Sequence, residues 1–142
     1  MFKDILVPID VNDERAWHPV LAAAVTLAER FDATLHVMAV VPEFGLPMVS
    51  QYFPKDFEKT MRQSAHDELQ KIMDGAIPTE IRRQLIVAEG SIYKEIVRVA
   101  TEAHCDLILM GAHRPEPGDF LLGSNARKVT HHAPCSVLVL RA

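Results

Sequence analysis

Residues 5–41 read ILVPIDVNDERAWHPVLAAAVTLAERFDATLHVMAVV. The run from Ile5 to Ile9 is apolar without polar alternation, which is typical of a strand buried on both faces. From Trp17 to Phe31 the apolar residues recur at intervals of three and one, which predicts an amphipathic helix. Leu35 to Val41 is again an apolar run of strand length. This β-α-β order predicts two parallel strands joined by a right-handed crossover, because parallel strands cannot be joined by a tight hairpin.

The rest of the chain repeats this alternation. Further helices are predicted at 57–72, 91–103 and 124–132, and further strands at 85–88, 107–110 and 137–140. Gly75 and Pro78 are expected just beyond the second helix, and Ser91 is expected to cap the third. The predicted fold is therefore α/β, a single doubly wound sheet of five mostly parallel strands with helices on both faces.

Size and composition limit the function classes. The chain has 142 residues, with 49% hydrophobic and 24% charged, which predicts one globular domain over 1–142 and excludes disorder as the main state. A net charge of −4 argues against nucleic acid as a partner, and no apolar run is long enough to span a membrane. No signal peptide precedes Lys3, and Cys105 and Cys135 do not form a disulfide framework, so we expect a cytoplasmic protein.

One stretch has no regular pattern. It runs from Pro42 to Pro54 and contains three prolines, Phe44, Met48, Tyr52 and Phe53. This composition is too apolar for a solvated linker. The segment is expected to be a packed connection, a lid or a dimer contact.

The residues that end or follow the predicted strands lie where open α/β sheets bind ligands. Asp10 follows the first strand, Val40 and Val41 end the second, and Gly111 follows the fourth. The Asp10 carboxylate could accept a hydrogen bond from a ribose hydroxyl or lie near a metal ion. Aspartate also begins turns and caps helices, so a purely structural role stays open.

A long connection joins the fourth strand to the last helix. Eleven residues separate Gly111 from Gly123, about double the usual strand-to-helix connection of two to six. It ends in Gly123-Ser124-Asn125, where unpaired N–H groups and the helix dipole favour an anion. The interpretations that stay open are a phosphate site and an ordinary N-cap.

Common phosphate and metal motifs do not occur. No G-x-x-x-x-G-K-[ST] is found and no G-x-G-x-x-G follows the first strand, which excludes P-loop hydrolases and dinucleotide-binding oxidoreductases. A receiver domain is disfavoured because Ala88-Glu89-Gly90 after the third strand supplies no aspartate. The seven histidines and two cysteines lack zinc-site spacing, so we predict neither metal ligands nor catalytic residues.

Four segments together carry a family resemblance. They are Val7-Pro8-Ile9-Asp10, Asp106 to Gly111, Gly123-Ser124-Asn125 and His132 to Val139. Over essentially the whole chain, this combination resembles the universal stress protein family. The resemblance implies a Rossmann-like sandwich, similar to the adenine nucleotide alpha hydrolases, with parallel strands in the order 3-2-1-4-5. One branch of that family binds ATP through a G-x2-G-x9-G-[ST] pattern.

This sequence departs from that pattern. Arg114 occupies the second glycine position, and the interval to Gly123-Ser124 is one residue short. The variant is similar to the F/G-type subgroup, whose members are nucleotide binders. The resemblance implies an adenine and ribose site along Pro8, Ile9, Asp10, Val40 and Val41, a ribose and first-phosphate site at Met110, Gly111 and His113, and further phosphates at Gly123, Ser124 and Asn125. The Arg114 guanidinium could pair with phosphate oxygens in place of the N–H groups that the missing glycine would expose.

The residues and the resemblance together predict a cytoplasmic ATP-binding regulatory module, with ATP alone or with Mg²⁺. Val137 to Leu140 is an apolar run at the edge of the sheet, where it would need a partner. The resemblance implies a homodimer paired through this strand. ATP turnover is expected to be slow or absent, because no second acid is clearly placed beside Asp10. The alternatives are a weak ATPase or ATP-dependent transferase that uses the same crevice, and an interaction domain that binds no nucleotide.

Overall fold

The computed structural model describes residues 1–42, 56–112 and 122–141. Strands and helices alternate along them in this order: β1 (Asp4–Pro8), α1 (Glu14–Phe31), β2 (Thr34–Val41), α2 (Phe57–Ala76), β3 (Arg83–Glu89), α3 (Ile92–Glu102), β4 (Leu107–Gly111), α4 (Ser124–His132) and β5 (Ser136–Leu140). The strands form one parallel sheet in the order β3-β2-β1-β4-β5. The α/β class and the strand order are thereby confirmed. Apart from Pro42, the segment from Pro42 to Pro54 lies outside the described residues.

The sheet is covered on both faces because successive side chains of a strand point to opposite sides. On one face Val7 and Leu109 pack with Leu21 of α1 and Leu69 of α2. On the other face the alternate strand residues pack against α3 and α4: these are Leu6, Met38, Ile108 and Met110, with Ile96 and Val129 from the helices. Two-sided burial explains why the central strands are continuous apolar runs in the sequence.

Two helix boundaries differ from the sequence pattern. Helix α1 begins at Glu14, three residues before its apolar stripe starts at Trp17, because the Asp13 carboxylate accepts a hydrogen bond from Ala16 N–H at 3.2 Å and caps a polar first turn. Gly75 lies inside α2, not beyond it, since the helix continues to Ala76 and the Ile77 N–H donates to Met73 C=O at 2.9 Å. Ser91 is the N-cap residue of α3, but its side chain makes no capping hydrogen bond.

Side-chain contacts link neighbouring strands at their amino-terminal ends. The His36 ring is buried, with Nε2 2.9 Å from Asp4 Oδ1 and Nδ1 2.7 Å from Gln84 Oε1. The Asp106 carboxylate accepts hydrogen bonds from the N–H groups of Lys3 and Asp4. These contacts lie at the opposite end of the strands from the residues that the sequence predicts to bind a ligand.

Strand β5 is an edge strand with an uncovered apolar side chain. It pairs with β4 on one side only. Val137 and Val139 pack towards α3 and α4, whereas Leu138 on the other face is 41% exposed. The predicted edge of the sheet is therefore present, and it is apolar.

Both cysteines lie in protected positions beside the strands. Burial, together with the smaller effect of the nearby charges of Asp4, Cys135 and Asp106, raises the pKa of the Cys105 thiol to about 12. Burial also raises the pKa of Cys135, with Asp106 adding to the effect. The neutral thiol is favoured at both positions in the folded protein, although only Cys105 is fully buried and Cys135 is half-buried.

We expect Cys105 to resist alkylation by iodoacetamide near pH 8.5 until the protein is unfolded, because the thiolate is the nucleophile. The unfolded thiol loses its proton near pH 9, while the folded one keeps it up to about pH 12. The unfolded state therefore binds fewer protons in this window, and the free energy of unfolding falls as pH rises through it. Mass spectrometry and urea unfolding measure both effects, and Cys105→Ala should reduce the pH dependence. Equal alkylation of Cys105 in the folded and unfolded protein would contradict this.

No helix in the described parts of the chain has a stretch that is both long and apolar enough to cross a membrane.

Candidate functional site

A cleft of about 1,060 Å³ opens at the carboxyl ends of the strands. Strand β1 lies between β2 and β4, so the chain leaves the sheet in opposite directions on its two sides, which is where open α/β sheets bind ligands. Eight residues predicted from the sequence line this cleft: Pro8, Ile9, Asp10, Val40, Val41, Met110, Gly111 and Asn125. The topology thus brings together residues that lie more than a hundred positions apart in the chain.

The structure does not place the other four predicted residues in the lining of the cleft. Gly123 is buried at the N-cap of α4 and Ser124 is exposed in its first turn, but neither is among the described residues that line the cleft. His113 and Arg114 lie outside the described residues. Their roles stay predictions from the sequence.

Asp10 forms a turn between β1 and α1. Its Oδ1 accepts a hydrogen bond from Asn12 N–H at 3.0 Å, and its backbone C=O accepts one from Asp13 N–H at 3.1 Å. Asp10 therefore has the structural role of a turn residue. The side chain is also exposed and lines the cleft, so this turn holds a carboxylate at the end of β1.

Val40 presents backbone groups to the cleft. Along β2, the hydrogen bonds at Leu35 and Val41 run to the β3 side, and those at Thr34 and Met38 run to the β1 side. Because residues alternate in this way, the N–H and C=O of Val40 face the β1 side, beyond the last residue of β1. No described residue supplies a hydrogen bond to either group. One donor and one acceptor thus lie side by side in the wall of the cleft.

The amino-terminal end of α4 is a second source of donors. Helix α1 has the Asp13 carboxylate as its cap, whereas α4 has Gly123 as its N-cap and makes no side-chain capping hydrogen bond. The N–H groups of the first turn of α4 therefore keep the partial positive charge of a helix start. Asn125, in that turn, lines the cleft.

Helix α2 supplies a wall that the sequence did not predict. Met61, Ser64, Ala65 and Glu68 line the cleft from one face of the helix, at the spacing of three and four residues that a helix face requires. The apolar members of this set are visible in the sequence as a helical stripe. That the stripe continues past the core into a cleft depends on how α2 packs, which periodicity does not reveal. The indole of Trp17 lines the same cleft, and its Nε1–H is buried without a hydrogen-bond partner among the described residues.

The described lining is short of positive charge. Its charged side chains are Asp10, Asp13, Arg15 and Glu68. Across the described residues, no group of three or more His, Cys, Asp or Glu side chains could hold a metal ion. The described part of the lining therefore offers hydrogen-bond donors and apolar surface, and a strongly anionic ligand would need additional counter-charge.

Known proteins resemble this chain over its whole described length. The model of the Universal stress protein family matches residues 1–141. The chain belongs to the universal stress protein family. It is 31% identical to Universal stress protein G of Escherichia coli O157:H7 over 145 residues, which cover 99% of this chain and all of that relative. The resemblance on the four sequence segments is therefore confirmed.

Solved structures of universal stress proteins share the fold. Universal stress protein UspA from Lactobacillus plantarum superposes with a TM-score of 0.74 at 26% identity, covering 98% of this chain and 97% of that one. A universal stress protein in complex with cAMP superposes with a TM-score of 0.61 at 19% identity, covering 99% and 97% of the two chains. This universal stress protein thus has the five-stranded sheet of its relatives.

Proposed function

We propose that this universal stress protein binds ATP in the cleft and acts in a stress response as a nucleotide-binding module rather than as an efficient enzyme. The observation that carries the proposal is the free N–H and C=O of Val40. The adenine edge presents an acceptor, N1, beside a donor, the 6-amino group, which matches a backbone donor beside an acceptor. Val41 and Met110 supply the apolar surface on which a base packs.

The opposite end of the cleft suits phosphates. In the sheet order, β2 with Val40 lies on one side of β1, and β4 with the connection to α4 lies on the other. A nucleotide that lies across the end of β1 would place its ribose near Asp10 and Gly111 and direct its phosphates to the uncapped N–H groups of α4. Those groups and the helix dipole favour an anion, and Gly123 permits close approach.

Mg²⁺ fits this arrangement only as part of the nucleotide complex. Magnesium is commonly held by one or two carboxylates together with substrate phosphates. Asp10 is exposed in the cleft and would be the contributing carboxylate. The ion would also add positive charge to a described lining whose one cationic side chain is Arg15.

The choice of an adenine nucleotide is also supported by a relative, and the proposed homodimer is supported by the edge strand β5. A universal stress protein on the same fold has been solved with cAMP, which is itself an adenine nucleotide. We propose that the protein forms a homodimer through β5, whose Leu138 is exposed, and that it works in the cytoplasm.

Trp17 provides the test of ATP binding, since it is the only tryptophan in the chain and lines the cleft. Titration with ATP is expected to change its fluorescence. The analogue N6,N6-dimethyl-ATP should bind at least about tenfold more weakly, because it cannot donate to the Val40 C=O and leaves that acceptor unpaired. Calorimetry checks both affinities. If ATP neither binds nor accompanies the purified protein, the proposal is wrong; if the two nucleotides bind equally, the base does not lie at Val40.

Arg114→Ala is expected to weaken ATP binding by roughly 1.5–3 kcal/mol, the range for a hydrogen bond to a charged group, and less if solvent reaches the pair. The wild-type protein should hydrolyse ATP far more slowly than the enzyme median of about 10 per second. Calorimetry and a steady-state phosphate assay measure the two quantities. If Arg114→Ala retained the affinity but removed a measurable turnover, Arg114 would be catalytic and the enzyme alternative would stand.

A further inference from the structure

Helix α4 carries charge of one sign only. Its nine residues include Arg127, Lys128, His131 and His132 and no carboxylate. Ala126 and Val129 of the same helix are buried in the core, while those four residues are exposed. The outer side of α4 is therefore a locally basic surface on a chain whose net charge is −4.

Tyr93 of α3 extends this surface with an aromatic ring. Lys128 Nζ lies 5.1 Å from the centre of the Tyr93 ring, within the range of a cation–π contact. The His132 ring lies 5.8 Å from Tyr93 at an interplanar angle of 30°, and the His131 ring packs edge-on against His132 at 4.7 Å. We call the set Tyr93, Arg127, Lys128, His131 and His132 the α4 face.

The carboxylates of the adjacent helix α3 do not neutralise the α4 face. Arg98 of α3 binds Glu95 at 2.9 Å and Glu102 at 2.8 Å, so the two acids of the adjacent helix already have a cationic partner. Among the described residues, no carboxylate forms an ion pair with Arg127 or Lys128. Their positive charge is thus available to another molecule.

We propose that the α4 face docks an acidic segment of a partner protein. A helix of nine residues is only about 13 Å long, so the surface suits a short charged segment. A nucleic acid or an anionic membrane would extend beyond it onto a molecule of net negative charge. The Tyr93 and His132 rings add a flat surface for the apolar parts of such a segment.

Docking on α4 would be coupled to the nucleotide, a step that rests on the proposed function. The helix that carries the α4 face begins at Gly123, where the phosphates are proposed to bind. A shift of α4 therefore changes both sites. If ATP alters the affinity for the acidic segment, the segment must alter the affinity for ATP by the same factor.

The test uses a fluorescein-labelled oligoglutamate peptide, with oligoglutamine as its neutral counterpart, and fluorescence anisotropy of the full chain without nucleotide. The wild type is expected to bind oligoglutamate. The double variant Arg127→Glu with Lys128→Glu should lose at least about tenfold in affinity. The matched control is Arg30→Glu with Lys59→Glu, which makes the same change of net charge at two exposed residues of α1 and α2 and should keep the affinity.

Each result supports or overturns the proposal. Absence of oligoglutamate binding, or an equal loss in both double variants, overturns it. Tighter binding to phosphatidylserine vesicles or to duplex DNA overturns the choice of a protein partner. Circular dichroism verifies folding, and Lys128→Ala provides a milder variant. Because the first measurement contains no nucleotide, it stands even if ATP does not bind; equal peptide affinity with and without saturating ATP would remove only the coupling.

Discussion

Replacing Gly123 with valine is expected to lower ATP affinity by a hundredfold or more, about 3 kcal/mol. Gly123 has φ −56° and ψ 155°, a conformation that valine also adopts, so the substitution does not strain the backbone. Its branched side chain would instead obstruct the approach to the uncapped N–H groups of α4. Calorimetry measures the affinity, and thermal unfolding without nucleotide measures the stability.

Gly75→Ala is the matched control for a glycine substitution. Gly75 lies inside α2, and a Cβ there meets no atom within 4 Å. We expect unchanged ATP affinity and a gain in stability of roughly 0.5–1 kcal/mol, the usual difference between alanine and glycine inside a helix. An unchanged affinity in folded Gly123→Val would show that the phosphates do not lie at the start of α4.

Leu138→Lys is expected to convert the proposed homodimer into a monomer. Leu138 is the middle residue of β5 and is 41% exposed. In an antiparallel pair of β5 strands, the two copies of this position lie near the two-fold axis, where two ammonium groups would repel each other in place of an apolar contact. Val139 is a poorer position for this test, because its side chain packs against the α3 and α4 layer and a charge there would also disturb folding.

Ile92→Lys is the control for adding a charge at an exposed apolar position. Ile92 is 46% exposed at the start of α3, outside strand β5. Light scattering at micromolar concentration should find the wild type and Ile92→Lys dimeric and Leu138→Lys monomeric. A wild type that is monomeric, or a Leu138→Lys variant that stays dimeric, argues against pairing through β5.

Much of the fold could be predicted from the sequence because each central strand is buried on both faces, so that Ile5 to Ile9 and Leu107 to Met110 appear as uninterrupted apolar runs. The strand order came from the family resemblance instead, since periodicity does not say which strands are neighbours. The polar first turn of α1 carries no apolar stripe, so the start of this helix depends on the Asp13 cap rather than on periodicity.

The site was predictable to a lesser degree. Residues at strand ends, such as Asp10 and Gly111, are marked by their position after an apolar run. The unpaired backbone of Val40 depends on β2 extending past β1, and the wall from Met61 to Glu68 depends on the packing of α2. Both are consequences of tertiary structure, to which local sequence patterns are not sensitive.

The central position of β1 also affects how the protein is made. One edge of β1 pairs with β2, which follows directly in the chain, but the other pairs with β4, which begins at Leu107. At translation rates of about 5–20 residues per second, the ribosome needs roughly 5–20 s to reach β4 after completing β1. During that time an apolar strand edge has no native partner. The nascent chain should therefore be most prone to aggregation, and most dependent on chaperones, before its final third has been synthesised.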